Sequence, residues 1–235
     1  MEIQRRLIAI GGGSIAEKTT LKIDAKVAEL AKKHAGDKRA VGVFIGTASH
    51  DSMPYFNSFR KTYTGEFDIK ADCVLSVYGE MNAEKIKSKF EKADMLYIGG
   101  GDTLYMLEYW KKTGVLDLVV DAYNRGVVVC GLSAGAICWF KKMYTDSDAF
   151  DDGGKYHVCE GLGKIEGLCC PHFEERIVDF RDAAKNYRGL IWAIEGNAAI
   201  EFVNEQFIGA HSSGGKAYKI EIDEEGEHKE LLAQI

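Results

Sequence analysis

The chain has 235 residues, of which 46% are hydrophobic and 28% charged, with a formal net charge of -6. That balance fits one globular α/β domain over residues 1–235 and argues against a nucleic-acid surface, since no basic block appears. No apolar run approaches a membrane span and the first residues carry no signal-peptide pattern, so no membrane partner and a cytoplasmic location are expected.

From the start of the chain, Arg6-Leu7-Ile8-Ala9-Ile10 reads as a strand that runs into Gly11-Gly12-Gly13-Ser14. The glycine run fails the dinucleotide pattern, because Ala16 stands where a third glycine would be. No Walker spacing follows, and a tight strand-to-loop passage is expected. Over residues 20–35, Leu21, Ile23, Val27, Leu30 and Ala31 recur at helical spacing, with Gly36 closing the helix. A second strand over 40–45 ends in Gly46-Thr47-Ala48-Ser49, and 51–64 suits a helix with Pro54 in its first turn. A strand over 71–77, a helix over 82–92 capped by Asn82, and a strand over 95–98 follow. That last strand ends in Gly99-Gly100-Gly101, with Asp102 placed to cap a helix over 103–112. A further helix spans 115–125.

Strands and helices alternating in this way predict a mostly parallel sheet with helices on both faces, and ligands in such sheets bind beyond the strands' carboxyl ends. Four small-residue strand ends converge there. The fourth is the most informative. Val127-Val128-Val129-Cys130 reads as a buried strand leading into Gly131-Leu132-Ser133-Ala134-Gly135, and 134–140 has a helix-like composition. This is the G-x-S-x-G elbow, in which a sharp strand-to-helix turn lifts a serine oxygen clear of the backbone. Small flanks are needed because the turn brings backbone segments close together. The helix N-terminus would aim free N–H groups at a developing oxyanion.

After the elbow, residues 144–163 read as an exposed loop or hairpin rich in aspartate. A short strand over 168–173 and a helix over 174–187 follow. The remainder reads as an antiparallel strand region: 189–194, 198–203, 206–209 and 216–222.

A serine needs a base to take its proton, and the base needs an orienting group. Of the six histidines, His172 is best placed, ending an apolar strand and preceding a helix. His50, His157 and His211 also lie near predicted strand ends or loops. Asp148 and Asp146 are the acids offered after the elbow. The six cysteines (Cys73, Cys130, Cys138, Cys159, Cys169 and Cys170) form no C-x-x-C pair, so buried thiols are expected and no metal or other cofactor is implied.

Three segments carry a family resemblance: Tyr97-Ile98-Gly99-Gly100-Gly101-Asp102-Thr103, Gly131-Leu132-Ser133-Ala134-Gly135-Ala136 and Pro171-His172-Phe173. Together with the order of elements, they make the chain resemble the peptidase E (S51) family of serine peptidases, within the class I glutamine-amidotransferase-like superfamily. The resemblance implies hydrolysis of short peptides at the amino-terminal side, dipeptides beginning with aspartate being the family's best-known substrates. It implies Ser133 as nucleophile, His172 as base and Asp148 as acid, with Asp146 as a register alternative. Backbone donors for the oxyanion are implied at Gly100 or Gly101 and at Ala134. The chain would act as a monomer or homodimer.

Two departures stand out. Asp102 replaces the family's common asparagine. His172-Phe173 also runs directly into Glu174-Glu175-Arg176, where aspartyl dipeptidases carry a longer insertion that helps read the aspartate. A shifted or broader first-residue preference is expected, with Arg176 the nearest cation for a substrate carboxylate. The rival readings are an α/β-hydrolase esterase, which would use a later histidine such as His211, and a ligand-binding relative without catalysis. A glutamine amidotransferase is disfavoured because it would carry cysteine at position 133.

Overall fold

The apolar runs become the strands of two sheets. The computed structural model describes residues 3–79, 81–147, 156–224 and 226–235. Its first half alternates as β1 (Arg6–Ile10), α1 (Leu21–Ala35), β2 (Val41–Ile45), α2 (Met53–Phe67), β3 (Lys70–Val74), α3 (Ala83–Lys92), β4 (Met95–Ile98), α4 (Thr103–Thr113), α5 (Val115–Asn124) and β5 (Val128–Leu132). A single helical turn, α6 (Ala134–Ile137), leads to β6 (Phe140–Thr145), β7 (His157–Glu160), β8 (Ile165–Cys170) and α7 (Phe173–Ala183). Then come β9 (Gly189–Ile194), β10 (Ala198–Val203), β11 (Gln206–Ser212), β12 (Ala217–Ile222) and β13 (Glu227–Leu231).

The larger sheet has the order β11-β10-β1-β5-β4-β2-β3. From β1 to β3 every pairing is parallel, whereas β10 joins β1 antiparallel and β11 joins β10 likewise. The second sheet runs β13-β12-β9-β8-β6-β7, parallel only among β6, β8 and β9. The expected α/β architecture is therefore present, but the C-terminal strands are divided between the two sheets.

Strand β5 shows why the larger sheet is buried on both faces. Val129 packs into the cluster that holds Trp110, Tyr123 and Trp139. Its neighbours Val128, Cys130 and Leu132 face the opposite cluster with Phe44, Phe59 and Tyr97. Successive side chains point to opposite faces, and each fully buried aliphatic one contributes about 1.5–3 kcal/mol. An unbroken apolar run follows, and it places the C-terminal end of β5 centrally in the sheet.

Several boundaries differ from the sequence reading. The helix after the elbow is one turn, not seven residues, because Phe140, Met143 and Tyr144 are taken into β6, which pairs with both β7 and β8. The described part of 144–163 is thus partly strand. His172 lies past the end of β8, in a left-handed turn, rather than on the strand itself. His211 sits inside β11. Strand β13 was not foreseen: Glu-His-Lys-Glu-Leu is exposed throughout and carries no alternation to read.

Candidate active site

Ser133 follows the last residue of β5 with φ 50° and ψ -109°, a conformation that costs a non-glycine residue about 1–3 kcal/mol. Its surroundings hold it there. Ser133 N–H donates to Ile10 O at 2.9 Å, and the N–H groups of Ala136 and Ile137 both donate to Ser133 O at 2.9 Å. The flanking glycines are sterically required: a Cβ on Gly131 would lie 2.0 Å from Gly135 O, and one on Gly135 2.2 Å from Ile98 O.

His172 reaches the same point from the other sheet. It too has positive φ, 49°, and its N–H donates to Gly11 O at 3.0 Å. The imidazole lies against Gly12, where a Cβ would come within 2.4 Å of Cε1. The Gly11-Gly12-Gly13 run is therefore a seat for the histidine. His172 Nε2 is 3.2 Å from Ser133 Oγ. Burial, with the nearby charge of Arg176, holds the imidazole below its ordinary 6.5, while Glu175, Glu174 and Asp146 pull the other way. A neutral ring with its proton on Nδ1 leaves Nε2 free to accept from the serine.

The glycine turn after β4 lies against the serine: a Cβ on Gly100 would come 3.4 Å from Ser133 Cβ. Gly99 N–H donates to Ile45 O and Asp102 N–H to Ala48 O, at 3.0 and 2.8 Å. Gly100 N–H donates to the Tyr55 hydroxyl at 3.4 Å. Among the described residues, the N–H groups of Gly101 and Ala134 have no acceptor. Gly101 has φ 136°, and its missing Cβ leaves room for Ala48 O, which such an atom would meet at 2.1 Å. With α6 only one turn long, the local donor at Ala134 matters more than any helix dipole.

The remaining expected residues are not all brought together. Asp148 lies outside the described residues. Asp146 Oδ2 is 3.6 Å from Arg176 Nη2, and the Arg176 guanidinium also lies over the Tyr156 ring at 4.7 Å. Asp146 makes no hydrogen bond to His172. The carboxylate nearest Nδ1 among the described residues is Glu175, its Oε2 at 3.8 Å across the first turn of α7. Glu175 escaped the sequence reading as an acid, since Glu174-Glu175 opening a helix looks like ordinary first-turn charge.

Three other histidines are engaged elsewhere: His211 Nε2 with Glu201 Oε2 at 2.6 Å, His34 with Asp94, and His50 against the Tyr105 ring. Beside Ser133 and His172 opens a cleft of about 460 Å³, walled by Ile15, Pro54, Tyr55, Ser58 and the Gly100-Gly101 turn. Nothing in the sequence marks Tyr55 for this wall, since its spacing is that of any residue on a helix face. No group of three or more His, Cys, Asp or Glu residues among those described is arranged to hold a metal ion.

The model of peptidase family S51 matches residues 7–209. The uncharacterized peptidase YgaJ of Bacillus subtilis strain 168 is 32% identical over 234 residues, 94% of each chain. Peptidase E of Haemophilus influenzae (strain ATCC 51907 / DSM 11121 / KW20 / Rd) is 23% identical over 162 residues, covering 63% of this chain and 71% of its own length. The fold is shared with the crystal structure of a peptidase from an acI-B1 Actinobacterium, at a TM-score of 0.67 and 16% identity, covering 97% of this chain and 94% of that one. With the family model spanning residues 7–209 and a relative 32% identical over 94% of each chain, this chain belongs to peptidase family S51.

Proposed function

We propose that the chain hydrolyses short peptides with a free amino terminus through Ser133 and His172, with a first-residue preference broader than aspartate. The observation that carries this reading is the 3.2 Å approach of His172 Nε2 to Ser133 Oγ, with the serine held at positive φ. Ser133 Oγ attacks the peptide carbonyl carbon as its proton passes to His172 Nε2. The oxyanion forms against the unoccupied N–H groups of Gly101 and Ala134 rather than that of Gly100. His172 returns the proton to the departing amine, and water then hydrolyses the acyl-enzyme by the same route.

Asp148 is the acid carried over from the family. Glu175 is the described carboxylate closest to Nδ1, but it is exposed and beyond hydrogen-bonding distance. Asp148→Asn should therefore lower kcat by about ten-thousandfold, and Glu175→Gln by less than about tenfold. Equal losses would assign the acid to neither.

The breadth of preference is supported by the cleft walls. Ile15, Pro54, Tyr55 and Ser58 offer apolar surface and neutral hydroxyls, while Arg176 faces Asp146 and Tyr156. A buried carboxylate needs a paired cation, and a site built to read one discriminates by orders of magnitude. The test is kcat/KM for Asp-, Glu-, Ala- and Leu-initiated dipeptides at one pH. Rates within about a hundredfold of one another are expected, and a thousandfold preference for aspartate would overturn the breadth.

A further inference from the structure

The glycine turn beside Ser133 is braced from one side by a single aromatic side chain. Tyr55, near the start of α2, lays its ring edge-on against Phe44, with centroids 4.9 Å apart. The ring also lies directly on Gly99, where a Cβ would fall 2.9 Å from Tyr55 Cε1. At its tip the hydroxyl accepts the Gly100 N–H at 3.4 Å. Burial pushes the phenol up to about 12, so it stays neutral wherever a histidine base works. On the far side, Ala48 O accepts from Asp102 N–H and fills the space left by the missing Gly101 Cβ. The Gly100–Gly101 peptide is thus suspended between two fixed points, and its own N–H is the one without an acceptor.

We propose that Tyr55 is a positioning residue for peptide hydrolysis: its hydroxyl fixes Gly100 so that the next N–H, that of Gly101, faces the developing oxyanion. The inference rests on the Ser133–His172 reading above. It explains why a tyrosine ring and a glycine are matched at van der Waals distance in the wall of the cleft. It also explains why the Gly100 N–H is not itself the donor, since Tyr55 already accepts it. Preorganised donors act chiefly on the transition state, so loosening this one should lower kcat and leave substrate binding nearly unchanged.

Tyr55→Phe removes only the oxygen and keeps the ring on Gly99 and Phe44. Outright loss of an oxyanion donor costs about a hundred- to a thousandfold, and a donor kept but loosened should cost about tenfold in kcat. KM should stay within about twofold. Affinity for a peptide aldehyde, whose serine adduct carries the tetrahedral oxygen, should weaken by the same factor as kcat. The pH limb set by His172 should not move, and fluorophosphonate should still titrate every molecule at completion. Gly99→Ala keeps the hydroxyl but displaces the ring, and should reproduce the loss.

Wild-type kcat and aldehyde affinity in Tyr55→Phe would overturn the proposal. So would a kcat that falls only in step with the titrated active fraction, which would mark a purely structural role. Failure of the wild type to cleave any peptide or to label Ser133 would remove the hydrolytic reading itself, and this proposal with it.

Discussion

At the scale of single residues, His172 gives the sharpest test. Its imidazole is held below 6.5 by burial and by Arg176. A base must be neutral to act, so kcat/KM should rise with pH and pass half its plateau below pH 6.5. Arg176→Gln removes the like charge, so the midpoint should move upward; a midpoint that stays put or falls would refute this cause. The meeting of Ser133 and His172 was legible in the sequence because their neighbours are constrained: small residues surround the serine, and Pro171 and Phe173 flank the histidine at the end of an apolar strand. Tyr55 and Glu175 were not. A tyrosine on a helix face has the same pattern whether it packs in the core or braces a turn, and only the fold brings it to Gly100. Asp24 was missed for a related reason. It occupies a buried position on α1, held by the hydroxyls of Thr20 and Tyr63 at 2.8 and 3.0 Å. Even so, desolvation pushes its carboxyl up to about 6, a cost that helical periodicity does not reveal.

At the scale of elements, the glycine run after β1 ties the two sheets to the site. Gly11 O accepts from His172, Gly12 O accepts from Asn197, and Gly11 N–H donates to Ala198 O. The sequence reading expected a tight passage here, and the structure shows what the passage serves. Gly12→Ala would place a methyl 2.4 Å from the His172 ring. It should cut kcat by about a hundredfold or more, because a misplaced group costs that much, while thermal melting changes little. Near-normal activity with a large drop in Tm would contradict the assignment of Gly12 as the histidine's seat. Strand and helix identities through β5 were legible because both periodicities repeat over full elements. The one-turn α6 was not, since small residues around a catalytic-type elbow look helical wherever they stand and the pairing that captures Phe140 is long-range.

At the scale of the whole molecule, a buried cluster marks where the esterase reading parts from the structure. Glu201, 1% exposed, accepts from Arg6 and from His211, so His211 is a partner in the sheet and lies on a different carboxylate from any near Ser133. His211→Ala should keep kcat/KM within about twofold yet lower Tm, since it removes one of the two side chains that hold the buried Glu201 carboxylate and a hydrogen bond to a charged group contributes about 1.5–3 kcal/mol. Burial alone would raise the Glu201 carboxyl, but His211 and Arg6 hold it below its ordinary 4.5. Its contribution is therefore complete above that value and is lost as pH falls through the lower folded value. The stability gap between wild type and Glu201→Gln should narrow below pH 4.5; a constant gap would contradict the linkage. Whether one serine, Ser133, performs the hydrolysis is decided by intact-protein mass spectrometry after fluorophosphonate treatment. A single adduct on Ser133 is expected, absent in Ser133→Ala and strongly slowed in His172→Ala, with peptide hydrolysis lost in step. An adduct elsewhere, or full peptide hydrolysis by Ser133→Ala, would contradict it.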